Sequence, residues 1–275
     1  MMDIKLCVIG LGKMGSTLVK GFIQSKTLER EQIIGTDLFE YESEKNTNYC
    51  DIRTMSNNVQ AVKESDIILL AIKPQIINKV LREISPHCEN KIVISIAAGV
   101  SLHHLERALP ISTKIIRAMP NTPILVGEGV IAISKNKNIN DKDLNIVKEI
   151  LESVGNVYLV EEYMMDTITA LSGSGPAYVY IMIEALSDGG VLMGLPRELS
   201  TELAARTFLG AARMVLEEDK HPGALKDMVT SPGGTSIRGI EVLESHGIRG
   251  ILMDAVKEAT KRSKELNSQR GGNFD

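Results

Sequence analysis

Three stretches of the chain carry residues whose type and spacing can do chemistry. The first is Gly10-Leu11-Gly12-Lys13-Met14-Gly15. It follows an apolar run, Ile4 to Ile9, and opens a segment in which Met14, Leu18, Phe22 and Ile23 recur at helical spacing. A strand, a glycine loop and a helix in that order make a dinucleotide fingerprint. Gly10 permits the tight turn, Gly12 lets the backbone approach a pyrophosphate, and Gly15 lets helix and strand pack closely. The helix N-terminus offers free N–H groups and the positive end of a dipole to the phosphates. Asp37 ends the second expected strand, 22 residues after Gly15. A carboxylate there accepts hydrogen bonds from an adenosine ribose and repels a 2′-phosphate. Glu40, Glu42 and Glu44 add negative charge, with Lys45 the one cation nearby, so the reading favours NAD(H) over NADP(H).

The second group lies at the carboxyl ends of later strands, the edge that lines the ligand crevice in open α/β sheets. Ala71-Ile72-Lys73-Pro74 follows one strand. Ser95-Ile96-Ala97-Ala98-Gly99 follows the next, and its small residues leave room for a flat ring. Arg117-Ala118-Met119-Pro120-Asn121-Thr122-Pro123 ends a further one, and Asn121 and Thr122 are placed to address a nicotinamide amide. The third stretch is Ser231-Pro232-Gly233-Gly234-Thr235-Ser236, between two helical segments. Successive free N–H groups at a helix start form an anion nest, and the hydroxyls of Ser231, Thr235 and Ser236 add donors, a combination suited to a carboxylate. Leu171-Ser172-Gly173-Ser174-Gly175-Pro176 is a second glycine-rich stretch, readable as a hinge, a close helix contact or a site wall.

Other chemistries are missing. Neither HExxH nor GxSxG occurs, and His87, His103, His104, His221 and His246 make no metal-type spacing, so no metal is expected. The adjacent His103 and His104 read as a solvated helix face. Cys7, Cys50 and Cys88 form no CxxC pair and read as reduced thiols.

The elements that must position these groups fall into two regions. Up to residue 162, buried-strand candidates (Ile4 to Ile9, Ile33 to Thr36, Ile67 to Ile72, Ile92 to Ile96, Ile115 to Ala118, Val126 to Ile133, Val157 to Val160) alternate with amphipathic segments. One of these, Leu144 to Val154, has Asp141 as its N-cap. That alternation predicts a parallel sheet with helices on both faces. From residue 163 to 275 the strands vanish, and helices are expected over Pro176 to Met193, Pro196 to Glu217, Ile237 to Ser245 and Ile248 to Leu266. The fold class is thus α/β: a Rossmann-type dinucleotide-binding domain over 1–162 and an all-helical domain over 163–275. Ala177-Tyr-Val-Tyr-Ile-Met-Ile183 is apolar on every side of its helix, so it must be surrounded, which points to a subunit interface.

Bulk properties agree. The 275 residues are 43% hydrophobic and 24% charged with a net charge of -4, enough for a full core and unsuited to nonspecific nucleic-acid binding. Aromatic residues are 4% and Trp is absent, which argues against base-stacking surfaces. The longest uninterrupted apolar stretches fall far short of the roughly 20 residues of a membrane-spanning helix. The N-terminus lacks a secretory pattern, and the expected location is the cytoplasm.

Four of these stretches together resemble one family. Ile96-Ala-Ala-Gly-Val100, Ile116-Arg-Ala-Met-Pro-Asn-Thr-Pro123, Leu171-Ser-Gly-Ser-Gly-Pro-Ala-Tyr178, and the run from His221-Pro-Gly-Ala-Leu-Lys-Asp227 through Ser231-Pro-Gly-Gly-Thr235 are similar to pyrroline-5-carboxylate reductases. The resemblance implies hydride transfer from NADPH or NADH to the C=N bond of 1-pyrroline-5-carboxylate, giving L-proline. It implies that Ser231, Gly234 and Thr235 hold the carboxylate, that Ser236 donates near the ring nitrogen, and that Asp219 acts there through water. It also places Asn58 and Lys73 along the cofactor, and makes the helical domain an interlocked dimer element, often part of a larger ring, with the substrate loop facing the nicotinamide across a subunit boundary. Ser236 departs from the family's usual threonine but keeps the hydroxyl. The acidic end of the second strand departs from the family's frequent NADPH preference. A 3-hydroxy-acid oxidoreductase shares the layout but needs a lysine base on a second-domain helix, and Met164 to Leu195 contains no lysine. A non-enzymatic dinucleotide sensor would have no use for the Ser231 to Ser236 loop.

Overall fold

Continuous Ile, Leu and Val runs bounded by turn residues give short strands buried on both faces. A computed structural model of the chain describes residues 4–37 and 51–271, and pairs eight strands into one sheet. They are β1 (Leu6–Ile9), β2 (Ile33–Thr36), β3 (Arg53–Met55), β4 (Ile67–Leu70), β5 (Ile92–Ser95), β6 (Lys114–Pro120), β7 (Gly129–Lys135) and β8 (Gly155–Leu159). Their order is β3-β2-β1-β4-β5-β6-β7-β8. The chain winds outward from β1 first one way and then the other, so the crevice at the carboxyl end of β1 is the topological switch point.

Alternation along each strand divides the core in two. Leu6, Val8, Ile67, Leu69, Ile92 and Ile94 face one layer; Cys7, Ile9, Ile68, Leu70 and Val93 face the other. Helix α1 (Lys13–Gln24) seals the first layer with Leu18, Val19 and Phe22. The second is sealed by α2 (Asn58–Lys63), α3 (Ile77–Ile84) and α4 (Leu102–Ala108).

Three expectations change here. The sheet is not wholly parallel, because β7 runs antiparallel to β6. Their connector, Asn121 to Glu128, is a 3₁₀ turn closed by Gly127 at φ 77°, and parallel strands need a crossover of a dozen residues or more. Strand β3 was missed altogether; three residues with an exposed, polar pattern give no periodic signal. The cap of α5 (Asp141–Glu152) is Asn140, not Asp141: Asn140 Oδ1 accepts from the Asp143 N–H at 2.9 Å in a capping box.

The chain divides into two compact units, one of residues 1–174 with 259–275 and one of residues 175–258. The first also holds α6 (Met165–Ile168) and the π-turn Thr169–Gly173, whose Ser174 N–H reaches the Thr169 carbonyl at 2.9 Å. In the second, α7 (Gly175–Leu192) packs on α8 (Arg197–Glu217) through small residues. Ser200 Oγ donates to the Ser187 carbonyl at 2.7 Å, and a Cβ on Gly190 would lie 2.2 Å from Ser200 Oγ. α9 (Pro222–Met228) and α10 (Thr235–Ser245) follow, and α11 (Ile248–Gly271) runs back into the first unit. The short α9 was not among the expected helices.

The three glycines of the first loop can be told apart by what a side chain would meet. A Cβ on Gly15 would sit 2.0 Å from the Gly10 carbonyl oxygen, whereas one on Gly12 meets nothing within 4 Å. Gly15→Ala is therefore expected to destabilise the protein by about 3 kcal/mol or more, because backbone cannot yield to overpacking as a side chain can. Gly12→Ala should cost about 1 kcal/mol or less. Urea unfolding of both variants checks the contrast; equal losses would remove the packing role of Gly15.

Candidate functional site

The glycine loop is built by contact, not by flexibility. Gly10 adopts φ 98°, and a Cβ there would strike the Ala71 carbonyl at 2.6 Å. Its N–H donates to the Thr36 carbonyl at 2.8 Å. Ala71 lies behind the loop, its Cβ 3.1 Å from where a Gly15 Cβ would stand. Gly12 is the extended N-cap of α1 with no side-chain cap, so the first-turn amides stay open. Lys13 is exposed at the first helical position and Met14 is half-buried. Gly10 and Gly15 thus shape the loop, while Gly12 has open space beside its backbone.

Asp37 reaches back to this loop. Its Oδ2 accepts from the Leu11 N–H at 2.9 Å, which fixes the carboxylate but uses an amide that the motif had offered to phosphate. Beside it opens a cleft of about 410 Å³ lined by Leu11, Asp37, Thr54, Met55, Ser56, Asn57 and Gln60. The sequence reading missed Thr54 to Asn57 and Gln60, because they follow the unpredicted β3. It chose Asn58 instead. The structure turns that side chain inward: Asn58 is buried, its Oδ1 accepting from Thr36 Oγ1 at 2.6 Å and its Nδ2 donating to Glu83 at 3.1 Å. Glu40, Glu42, Glu44 and Lys45 lie outside the described residues.

The remaining crevice residues follow the carboxyl ends of β4, β5 and β6, successive neighbours across the sheet from β1. Lys73 is exposed as the N-cap of a 3₁₀ turn that Pro74 begins. Ala97 is buried, Ala98 exposed, and Thr122 exposed at the start of its turn. Asn121 is 6% exposed and its amide is committed within the fold: Oδ1 accepts from the Val130 N–H at 2.9 Å, and Nδ2 donates to the Ser172 carbonyl at 3.1 Å.

A charge cluster lies on β6, four residues before Asn121. Arg117, 4% exposed, donates to Glu162 Oε1 at 2.7 Å and lies 3.7 Å from Asp166 Oδ1. Glu162 Oε1 also accepts from the Leu102 N–H at 3.0 Å, and Asp166 accepts from Ser263 at 2.7 Å and from Asn267. The signal was available: an arginine between Ile115, Ile116 and Ala118 in a buried strand requires carboxylates. His104 was misread for a similar reason. It is buried, with Nε2 2.7 Å from Asn78 Oδ1, while His103 faces outward. Cys7 and Cys88 are buried free thiols, and burial pushes both up to about 12, so neither is a nucleophile near neutral pH. Cys50 lies outside the described residues.

In the helical unit, Gly234 is the N-cap of α10 in extended backbone, again without a side-chain cap. A Cβ on Gly234 would lie 2.3 Å from Ser231 Oγ, so glycine is what allows Ser231 to fold over the helix start. The Gly234 N–H closes the turn on the Ser231 carbonyl at 3.1 Å, and Gly233 takes φ 72°. Ser231 and Thr235 are exposed and Ser236 is half-buried. The open first-turn amides and these hydroxyls share the start of α10. Asp219 lies exposed in the bend before α9, and Ser231 follows the other end of that helix.

Comparison with known proteins now bears on both units. Residues 162–266 match the family model described as pyrroline-5-carboxylate reductase dimerisation, and residues 5–99 match one described as NADP oxidoreductase, coenzyme F420-dependent. Pyrroline-5-carboxylate reductases of Synechocystis sp. and Methanosarcina acetivorans are 44% and 46% identical to the chain. The first alignment covers 98% of this chain and 100% of the relative, the second 96% and 98%. The chain belongs to the pyrroline-5-carboxylate reductase family. Among solved structures, the Plasmodium falciparum pyrroline carboxylate reductase with NADP bound is 38% identical, with a TM-score of 0.90 over 97% of this chain and 99% of that one. The dimerisation match gives the apolar helices their context. Tyr180 and Ile181 on α7 are 61% and 65% exposed in the single chain, and Leu192 at its end is 85% exposed, as expected of a surface that a second subunit covers. Among the described residues no helix is long and apolar enough to cross a membrane.

The open face of Gly12 yields a test that separates folding from binding. Gly12→Val should retain the wild-type melting temperature to within a few degrees, yet weaken coenzyme binding at least tenfold, about 1.4 kcal/mol. Calorimetric titration with NADH and NADPH measures it, and unchanged affinity would remove Gly12 from the site.

Proposed function

We infer that the chain reduces 1-pyrroline-5-carboxylate to L-proline with NADH or NADPH, as an oligomer joined through its helical region. The observation that carries this is the 44–46% identity, over nearly the whole chain, to relatives that bear that name. Residues 1–162 are assigned to the coenzyme and 163–275 to dimerisation and substrate. The buried free thiols of Cys7 and Cys88 suit a reducing compartment, and the cytoplasm is the proposed location.

The residues fit the chemistry. When bound, the reduced nicotinamide supplies hydride to the imine carbon. The chain must then grip a carboxylate, orient the ring and keep a proton on its nitrogen. The amides above Gly234, with Ser231 and Thr235, form the carboxylate grip. Ser236 donates a hydrogen bond toward the ring nitrogen and passes a proton inward from water. Asp219 would act through intervening water. Neither a nucleophile nor a metal is required, because positioning alone contributes on the order of 7–11 kcal/mol in well-oriented reactions. At the other end, Gly12 approaches the pyrophosphate, with Lys13 beside it, and Ala71, Lys73, Pro74, Ala97, Ala98 and Thr122 line the crevice.

Asp37 supports a preference for NADH, or at least no strong selectivity for NADPH. Its carboxylate is fixed by Leu11, and among the described residues the cleft beside it is lined by no basic side chain. A 2′-phosphate there meets like charge. Asp37→Ser is expected to shift the kcat/KM ratio toward NADPH by tenfold or more, about 1.4 kcal/mol. Steady-state kinetics with both coenzymes decide the matter; a wild-type preference for NADPH of that size would show that other residues override Asp37.

Ser236→Ala tests the substrate end. It removes one hydroxyl and leaves the nest's amides in place. A donor acting in the transition state predicts kcat and kcat/KM falling together, by roughly ten- to a thousandfold. The coenzyme KM should hardly move, and Ser236→Thr should keep most of the activity. Full activity of Ser236→Ala at saturating substrate would leave the loop only a carboxylate grip.

A further inference from the structure

Strand β6 carries Arg117, Met119 and, in the extended residue that follows it, Asn121, at the two-residue spacing that puts side chains on one face. All three meet the same stretch of chain. Arg117 pairs with Glu162 and Asp166. Met119 lies over Gly173: a Cβ there would stand 2.8 Å from Met119 Cε. Asn121 donates to the Ser172 carbonyl at 3.1 Å. This stretch ends in the π-turn Thr169–Gly173, a feature common at functional sites.

The sequence explains why Ser172 takes a donor from outside. In a continuous helix its carbonyl would accept from the residue four positions on. That residue is Pro176, which has no N–H. A buried carbonyl without a donor is costly, and Asn121 provides one. Its oxygen meanwhile holds the Val130 N–H at 2.9 Å, so one amide joins the end of β6, the start of β7 and the π-turn.

We propose that Asn121 is a positioning residue: it gives the Ser172 carbonyl the donor that Pro176 lacks, and with Arg117 and Met119 it pins the π-turn beside the crevice end of β6. The segment Leu171 to Pro176 is then a braced turn and not a free hinge. The crevice loop beginning at Thr122 is set by the same brace. A displacement of about 1 Å there is enough to slow hydride transfer severely. The glycine loop, at the end of β1, is untouched. This deepens the reading of the crevice above and rests on it only for the activity measurement.

The test uses the full-length oligomer with Asn121→Ala and Asn121→Asp. The aspartate keeps an acceptor for Val130 and sets an oxygen against the Ser172 carbonyl. Hydrogen exchange over residues 169–174 should quicken at least tenfold in both, with residues 10–15 unchanged. NADH and NADPH dissociation constants should stay within twofold of wild type, and kcat should fall at least tenfold. Adding Pro176→Ala to Asn121→Ala restores an N–H at that position, and should recover at least half of the lost protection and a measurable part of kcat. Coenzyme affinity weakened tenfold, with exchange at 169–174 unchanged, would overturn the proposal and make Asn121 a coenzyme ligand. Unchanged exchange together with unchanged kcat would also overturn it. Should Asn121→Ala not fold, Asn121→Asp carries the same measurements. Exchange and coenzyme binding do not depend on which imine is reduced, so failure of the substrate assignment is distinguishable from failure of the brace.

Discussion

A guanidinium taken out of water must be surrounded by carboxylates, and much of this molecule is arranged to satisfy that need at Arg117. Its partners come from outside the sheet. Glu162 and Asp166 lie where the chain leaves β8, and Asp166 in turn gathers Ser263 and Asn267 from the last helix. One residue on a central strand therefore joins the sheet, the segment leaving it and the end of the chain. Such clusters add little net stability over a well-packed apolar alternative, but they tolerate few other arrangements. A slip of β6 by one residue would bury the cation in hydrocarbon. The cluster thus fixes the register of the strand whose end lines the crevice.

The glycine loop and the Ser231 to Ser236 loop share one construction. Gly12 and Gly234 are each an extended helix N-cap without a side-chain cap. In both, nearby glycines are required by close contacts, not by the ligand: Gly15 against Gly10, and Gly234 against Ser231 Oγ. An anion site made of backbone amides survives most side-chain substitutions. It is lost when the close contact that shapes the loop is lost. The two acidic residues associated with these loops differ in standing. Asp37 is locked to the Leu11 amide. Asp219 is free on an exposed turn.

Patterns that depend on neighbours in sequence were legible. The buried strands, the glycine loop between β1 and α1, the main helices and the apolar face of α7 all follow from local periodicity and turn chemistry. What escaped depends on partners distant in sequence. Asn58, Asn121 and His104 carry polar groups that loops and crevices welcome, yet each is buried by a contact 22 to 51 residues away. No local pattern separates a buried amide from an exposed one. Strand β3 escaped because pairing with β2, not its own residues, makes it a strand. The antiparallel turn into β7 was legible in principle, since its connector is too short for a crossover. Asn140 displaced Asp141 as a cap by a single position, the usual uncertainty at helix ends.

The last helix has a consequence for how the chain is made. The first compact unit is interrupted at Ser174 and resumes at Ala259, so the helical unit is an insertion within it. A ribosome releases the sheet, the glycine loop and the crevice strands well before Ser263 and Asn267 exist. Until those residues emerge, Asp166 lacks two of its donors beside a desolvated cation. The N-terminal unit can fold early but cannot be completed until Ser263 and Asn267 have emerged. A truncation that removes them would therefore leave its defect around Asp166, about 100 residues earlier in the chain.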